Sequence, residues 1–322
     1  MKLRVVSADE VARLLPYRDC IALVRDAMTD LSEGRTRQVL RSILKLDDEG
    51  RMFGVMPGAM TGAEATFGAK LVSVYPDNFG KGKMSHQGVV VLFDPESGAP
   101  AAVLEAGEIT AIRTAAASAA ATDALARPDA TRLALLGYGE QAWRHVLAIR
   151  EVRTIDDVTV WGRSRARAEE FAERVRGCGL EAAVATSASE AAASADIICT
   201  VSSASEPILM SGDVADGAHI NAVGSSFAGP SEIDVALVAR ARMFADHREG
   251  VLAQGAEYLR AKAAGLVDED HVLGEIGEIF AGTLEGRVGP DDVTLYKSLG
   301  SIVQDLAAAR HILARLEAKG EG

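Results

Sequence analysis

Residues 131–165 decide the fold. Thr-Arg-Leu-Ala-Leu-Leu at 131–136 leads into Gly137-Tyr138-Gly139-Glu140-Gln141-Ala142. A helical stretch follows, then Val158-Thr159-Val160-Trp161-Gly162-Arg163-Ser164-Arg165. A buried strand, a glycine turn, a helix and a second strand make one βαβ unit. In that setting Gly137 permits the tight turn and Gly139 lets the backbone approach a pyrophosphate, while Ala142 is small enough for the helix to close on the strand. The helix N-terminus offers free N–H groups and the positive end of its dipole to phosphates. The stretch predicts a Rossmann-type dinucleotide-binding domain.

The end of the second strand bears on which dinucleotide. An NAD site usually carries Asp or Glu there, about 20 residues past the glycines, to accept hydrogen bonds from the ribose hydroxyls. This chain has Gly162, Arg163, Ser164 and Arg165 instead, with no carboxylate. A carboxylate would repel a 2′-phosphate, whereas a guanidinium grips it and a serine adds a hydrogen bond. NADP(H) is therefore favoured over NAD(H), the alternative being that both arginines are simply solvated at a helix start.

Outward from this unit, 322 residues fit two domains, or one large domain with an appendage. The hydrophobic share is 48%, the charged share 25% and the formal net charge −12. That is an ordinary globular composition, and the acidic balance argues against a nucleic-acid partner. Cys20, Cys178 and Cys199 are odd in number and widely spaced, which suggests neither a disulfide framework nor a metal knuckle. The six histidines never fall at metal-ligand spacing, so no metal is expected. Charges interrupt the first ten residues, which rules against a signal peptide, and no uncharged apolar span is long enough for a membrane helix. The expected location is the cytoplasm, without membrane partners. Gly80-Lys81-Gly82-Lys83 lacks the spacing of a phosphate loop.

The preceding part changes periodicity. Residues 17–33 carry Ile21, Val24, Met28 and Leu31 on one helical stripe. Strands are predicted at 39–46, 52–56, 66–75, 89–93 and 101–105, with turns at Asp47-Asp48-Glu49-Gly50, Pro57-Gly58 and Asp94-Pro95-Glu96-Ser97-Gly98. A long alanine-rich helix, about 108–126, stops before Pro128. Short apolar runs at 182–185, 197–201, 220–223 and 243–245 suit a buried parallel sheet, with a further strand at 293–296. The last segment, 301–319, is a helix with Ile302, Leu306, Ala309, Leu313 and Leu316 on one side.

Three cations fall in unexpected places. Lys70 shares a strand face with Thr66, Gly68, Val72 and Val74, and Arg41 shares one with Val39 and Ile43. Arg113 lies near the start of its helix, where the dipole disfavours a cation. Each should face a counter-charge, since an unpartnered buried cation is costly. Any one alone could be a snorkelling surface side chain. Three together, in a chain that binds a hydride carrier, point to an anionic substrate. Lys297 is a fourth candidate, for a cofactor phosphate.

Six ordered motifs then resemble the ornithine cyclodeaminase/mu-crystallin family over nearly the whole chain. They are Gly68-Ala69-Lys70 with Tyr75-Pro76-Asp77-Asn78; Ser85-His86-Gln87-Gly88; Thr110-Ala111-Ile112-Arg113-Thr114-Ala115-Ala116; the glycine turn at 137–142; Ile220-Asn221-Ala222-Val223-Gly224; and Tyr296-Lys297-Ser298-Leu299-Gly300. The resemblance implies an α/β protein: an α+β substrate and dimerisation domain from 1–125 and 301–322, and a Rossmann domain at 126–300. It implies a homodimer, and a substrate carboxylate held and a reacting centre polarised by Arg41, Lys70 and Arg113. It also implies cofactor contacts at Ser85 and Thr110, at Glu140 and Gln141, at Val201 and Ser202, at Val223 and Gly224, and at Lys297 and Ser298.

Two departures bear on the reaction. Cyclodeaminases carry an aspartate where this chain has Ser226, and a glutamate where it has Gly54. Without those carboxylates, the groups for a cationic side-chain amine are missing. The mu-crystallin-like ketimine reductases resemble this chain better there, so reduction of an imine of a small 2-oxo or amino acid, or its reverse, moves ahead of ornithine cyclodeamination. A hydrogen bond from Ser226 to the substrate nitrogen is one reading, passive space-filling the other. A non-catalytic, cofactor-regulated binding protein is the third possibility, disfavoured by retention of the three cations.

Overall fold

The computed structural model describes residues 3–62, 65–81 and 86–318; Ser85, expected at the cofactor, lies outside them. The chain divides into two compact units, Met1–Arg113 with Ser301–Gly322, and Thr114–Gly300.

The first unit holds a mixed sheet of β1 (Arg4–Val6), β2 (Thr36–Gln38), β3 (Ser42–Lys45), β4 (Met52–Met60), β5 (Thr66–Val74), β6 (His86–Phe93) and β7 (Pro100–Glu105). Their order is β1-β7-β6-β5-β4-β2, with β3 also on β4. Only β1 pairs in parallel, with β7; the rest is antiparallel. The helix Ile302–Ala318 packs on the helix Tyr17–Ser32 and on β4, β5 and β6. The period-2 pattern of β5 survives at its start, where Thr66, Gly68 and Lys70 are buried and the residues between them are partly open.

Two expectations fail here for physical reasons. Pro57-Gly58 is no turn, because β4 runs through it while pairing with β5 along its whole length. On its other edge β4 pairs with β3 at Met52 to Val55 and with β2 at Gly58 to Met60. Pro57 sits in the gap between those partners, where no ladder hydrogen bond asks for its missing N–H. The strand expected at 39–46 is shortened to β3, Ser42–Lys45; β2 lies ahead of it at Thr36–Gln38, and Arg41 stands between the two, outside either strand. β3 borders β4 alone, and its Ile43 and Leu44 are 42% and 61% exposed, so its alternation marks no buried face in this chain.

The second unit is one parallel sheet: β8 (Arg132–Leu136), β9 (Asp157–Trp161), β10 (Glu181–Val184), β11 (Ile197–Thr200), β12 (His219–Ala222), β13 (Arg242–Ala245), β14 (Val272–Glu275) and β15 (Thr294–Lys297). The order β10-β9-β8-β11-β12-β15-β13-β14 begins as the doubly wound 3-2-1-4-5 and then slots β15 beside β12. β8, β11, β12 and β15 are buried almost end to end, as strands covered on both faces must be. The fold is thus α/β, a Rossmann-type sheet in one unit and an α+β layer in the other.

The helix Ala106–Leu125 contains the division at Arg113/Thr114, rather than ending it at 125/126 as expected. Its later turns belong with the parallel sheet because they are bonded there. Ser118 Oγ meets His145 Nε2 at 2.9 Å, and Thr122 Oγ1 accepts from Asn221 Nδ2 at 2.9 Å. Among the described residues no helix is long and apolar enough to cross a membrane, and no group of His, Cys, Asp and Glu could hold a metal ion.

Candidate active site

In the first unit Lys70 and Arg113 converge on one carboxylate. β5 aims Lys70 inward, and the helix Ala106–Leu125 does the same for Arg113; each is only 4% exposed. Lys70 Nζ donates to Thr110 Oγ1 at 2.5 Å and to Asp305 Oδ1 at 3.2 Å. Arg113 Nε donates to the same Asp305 oxygen at 3.0 Å, and Nη1 donates to Gln304 Oε1 at 3.0 Å. Asp305 is completely buried on the returning helix, and its Oδ2 has no hydrogen-bond partner among the described residues.

The electrostatics follow from burial. Desolvation pulls the Lys70 ammonium down to about 8; Asp305 opposes this, while the Arg113 and Arg41 charges add to it. Burial would push the Asp305 carboxyl up, but Arg113 and Lys70 outweigh it and hold the group below its ordinary range. Arg41 is half-buried and its charge reaches Lys70, so the three cations singled out by position do share one neighbourhood. Thr110, expected on the cofactor, here accepts from Lys70 and donates to the Ala106 carbonyl at 2.5 Å.

In the second unit the glycine turn fits a dinucleotide. Gly137 has φ +139°, and a Cβ there would come within 2.7 Å of the Val201 carbonyl oxygen. Gly139 is the N-cap of the helix Glu140–Ile149 with no side chain capping it, and a Cβ there would meet open space. That leaves the first-turn N–H groups to a ligand. Gln141 Oε1 is buried beside them with no hydrogen-bond partner among the described residues. Glu140 turns away to Arg144 at 2.5 Å. After β9, the Tyr138 ring packs where a Cβ at Gly162 would sit, and no carboxylate stands at 162–165, the usual place of a ribose-binding acid. Arg163 and Arg165 are exposed next to it, and Ser164 caps the helix Arg165–Arg176 through Arg167 N.

The far strand ends are more tightly bound than the sequence implied. Ser202 donates its N–H and hydroxyl to Glu232, and Gly224 donates its N–H to the same side chain. Val223 and Gly224 also donate to the Thr200 carbonyl, Val201 to that of Leu136 and Ser298 to that of Ala222. Lys297 departs from expectation. It is the last residue of β15, fully buried, and its ammonium is committed to Glu257 at 2.7 Å and to the Ser225 carbonyl and hydroxyl at 2.7 and 2.8 Å. A cation so completely matched has no charge left for a phosphate. Ser226, next in the chain, is half-buried.

Asp305, Glu232 and Glu257 escaped the sequence reading. For Asp305 a signal existed: it is the lone acid in the otherwise uncharged run Ile302 to Ala309, adjoining the apolar stripe. The buried cations required such a counter-charge.

A doubly wound sheet with an open glycine turn, joined in one chain to a unit with buried cations around a carboxylate, defines a two-unit protein of the dinucleotide-binding class. The chain belongs to the ornithine cyclodeaminase/mu-crystallin family, whose model matches residues 1–320. It is 37% identical over 278 residues to the ketimine reductase mu-crystallin of Mus musculus, covering 86% of this chain and 85% of that one. It is 34% identical over 320 residues to the Δ1-pyrroline-2-carboxylate reductase of Bacillus cereus, covering 99% and 98%. Among solved structures, the Thermococcus litoralis Δ1-pyrroline-2-carboxylate reductase in complex with NADH and L-proline superposes with a TM-score of 0.95. The identity there is 32%, over 99% of this chain and 98% of that one.

Proposed function

We propose that this chain is an NAD(P)H-dependent oxidoreductase that reduces a C=N bond next to a carboxylate, in a small cyclic or open imine of a 2-oxo acid. The observation that carries the reading is a charge excess: Lys70 and Arg113 are buried on the one carboxylate of Asp305, with the Arg41 charge in reach. Buried cations in excess of anions are costly, and a substrate carboxylate restores the balance. The named relatives that reduce ketimines and pyrroline carboxylate support the reaction class.

In this reading Arg113 and Arg41 grip the carboxylate through charge-assisted hydrogen bonds. Lys70, held by Thr110 and Asp305, donates a proton to the imine nitrogen, and its pKa of about 8 suits that task near neutrality. When bound, a reduced nicotinamide supplies the hydride to the imine carbon. The product is the amine, with one C–H and one N–H bond formed. Ser226 and Gly54 leave no carboxylate for a second substrate amine, which favours reduction over ornithine cyclodeamination.

The assay is oxidation of NADPH or NADH, followed by absorbance, with Δ1-pyrroline-2-carboxylate, Δ1-piperideine-2-carboxylate, 2-oxo acids plus amines, and ornithine alone. Steady oxidation with the cyclic ketimines and no ammonia from ornithine is expected. Ammonia release from ornithine without net cofactor change would overturn the reading.

The lack of a carboxylate at 162–165 and the exposed Arg163 support NADP(H) over NAD(H). Arg163→Ala then raises the KM for NADPH about tenfold, one charge-assisted bond, and leaves that for NADH unchanged. The exposed Val39, Leu40, Ile43, Leu44 and Leu46 of the first unit support a homodimer. Three cysteines without a disulfide suit the cytoplasm.

A further inference from the structure

We propose that Glu232 is a positioning residue for the nicotinamide cofactor, setting the loops that leave β11 and β12 at one height. The inference rests on the dinucleotide reading of the second unit. In doubly wound sheets ligands bind outside the carboxyl ends of the strands. β11 and β12 are adjacent central strands, and both loops begin at those ends.

Glu232 is 0% exposed and bridges the two loops with separate oxygens. Oε1 accepts from Ser202 N at 2.7 Å and from Ser202 Oγ at 2.6 Å, while Oε2 accepts from Gly224 N at 2.8 Å. The loops close down on it so far that a Cβ at Gly224 would run into Oε2 and into the Ser202 carbonyl oxygen. Ser202 Oγ also accepts from Ala204 N at 3.1 Å, so its one proton and one of its two lone pairs are engaged in holding the loop. Burial raises the Glu232 pKa, with the Ser202 bonds and the Lys297 charge opposing. A desolvated carboxylate is an expensive strut. It has one property no amide shares: both oxygens accept, so it can satisfy N–H donors on both sides at once. An amide at that place would oppose its own N–H to one of them.

Glu232→Gln therefore frees one loop. The expected result is a Kd for NADPH and NADH raised about tenfold, the cost of one charge-assisted bond, with kcat lowered and the KM for Δ1-pyrroline-2-carboxylate at saturating cofactor unchanged. The control for general destabilisation is Asp196→Asn. Asp196 is also a buried acceptor of backbone N–H groups, from Thr131 at 3.1 Å and Arg132 at 3.0 Å, but it precedes β11, at the amino ends of the strands rather than their carboxyl ends. That variant loses thermal stability and keeps the cofactor Kd. If Glu232→Gln does not fold, Glu232→Asp keeps the charge with a shorter reach and raises the Kd about threefold. A wild-type Kd in whichever variant folds, or equal Kd losses in the Glu232 and Asp196 variants, overturns the proposal. Failure of the wild-type protein to bind either reduced nicotinamide overturns the dinucleotide reading itself.

Discussion

The two units treat buried charge in opposite ways. In the parallel-sheet unit Lys297 meets Glu257 one to one, with Ser225 completing the shell, and Asp196 is enclosed by Arg127, Arg132 and two backbone N–H groups. Lys297 is buried with an anion of its own, whereas the two arginines on Asp196 keep 27% and 46% of their side chains in solvent and need no second anion. In the first unit Lys70 and Arg113 crowd on one oxygen of Asp305, whose other oxygen has no hydrogen-bond partner among the described residues. In the proposed function, the lysine buried with its anion is structural, and the lysine and arginine buried in excess of anions receive the substrate carboxylate. The distinction matters because both lysines stand in family motifs, and only their partners separate them.

Four substitutions test that contrast. Lys70→Ala should cut kcat/KM for imine reduction about a thousandfold, as loss of a general acid does, while the Kd for NADPH from fluorescence titration stays as in wild type. An intact rate would sink the assignment of the proton donor. Lys297→Met, by contrast, strips the partner from a buried carboxylate and should cost about 3–5 kcal/mol of stability, read by denaturant unfolding. A fully stable variant with selectively weakened cofactor binding would restore Lys297 as a phosphate ligand.

Arg113→Lys keeps the charge but cannot reach both Asp305 and Gln304 with a planar fork. It should raise the KM for the imine carboxylate about tenfold with kcat less affected, one charge-assisted bond being lost. The smallest expected effect is in the pH profile. The donor must be protonated, so kcat/KM for reduction should fall as pH rises through about 8. Asp305 raises the Lys70 pKa, so Asp305→Asn should move that alkaline limb to lower pH. A limb that stays in place would show that another group titrates.

Local patterns carried much of this without coordinates. The strand, glycine turn and helix at 131–149 were legible because φ, hydrophobic run and helix start are set by neighbours in sequence. The oddly placed Lys70 and Arg113 were legible as well, since an ionic group within an apolar pattern is a conflict visible from one strand or one helix. The shortening of 39–46 to β3 was not, because whether an alternating strand buries a face depends on what stacks against it.

What the amino-acid order determined by itself was the doubly wound unit, the family, and the presence of cations that needed a partner. Which partner each received was decided only in three dimensions. Asp305 lies 235 residues from Lys70 and 192 from Arg113, and Glu257 meets Lys297 from the first turn of the helix Ala256–Ala263. Periodicity reports on a residue's own element, whereas the pairing of buried charges is settled by how distant elements pack, where desolvation makes each counter-ion obligatory.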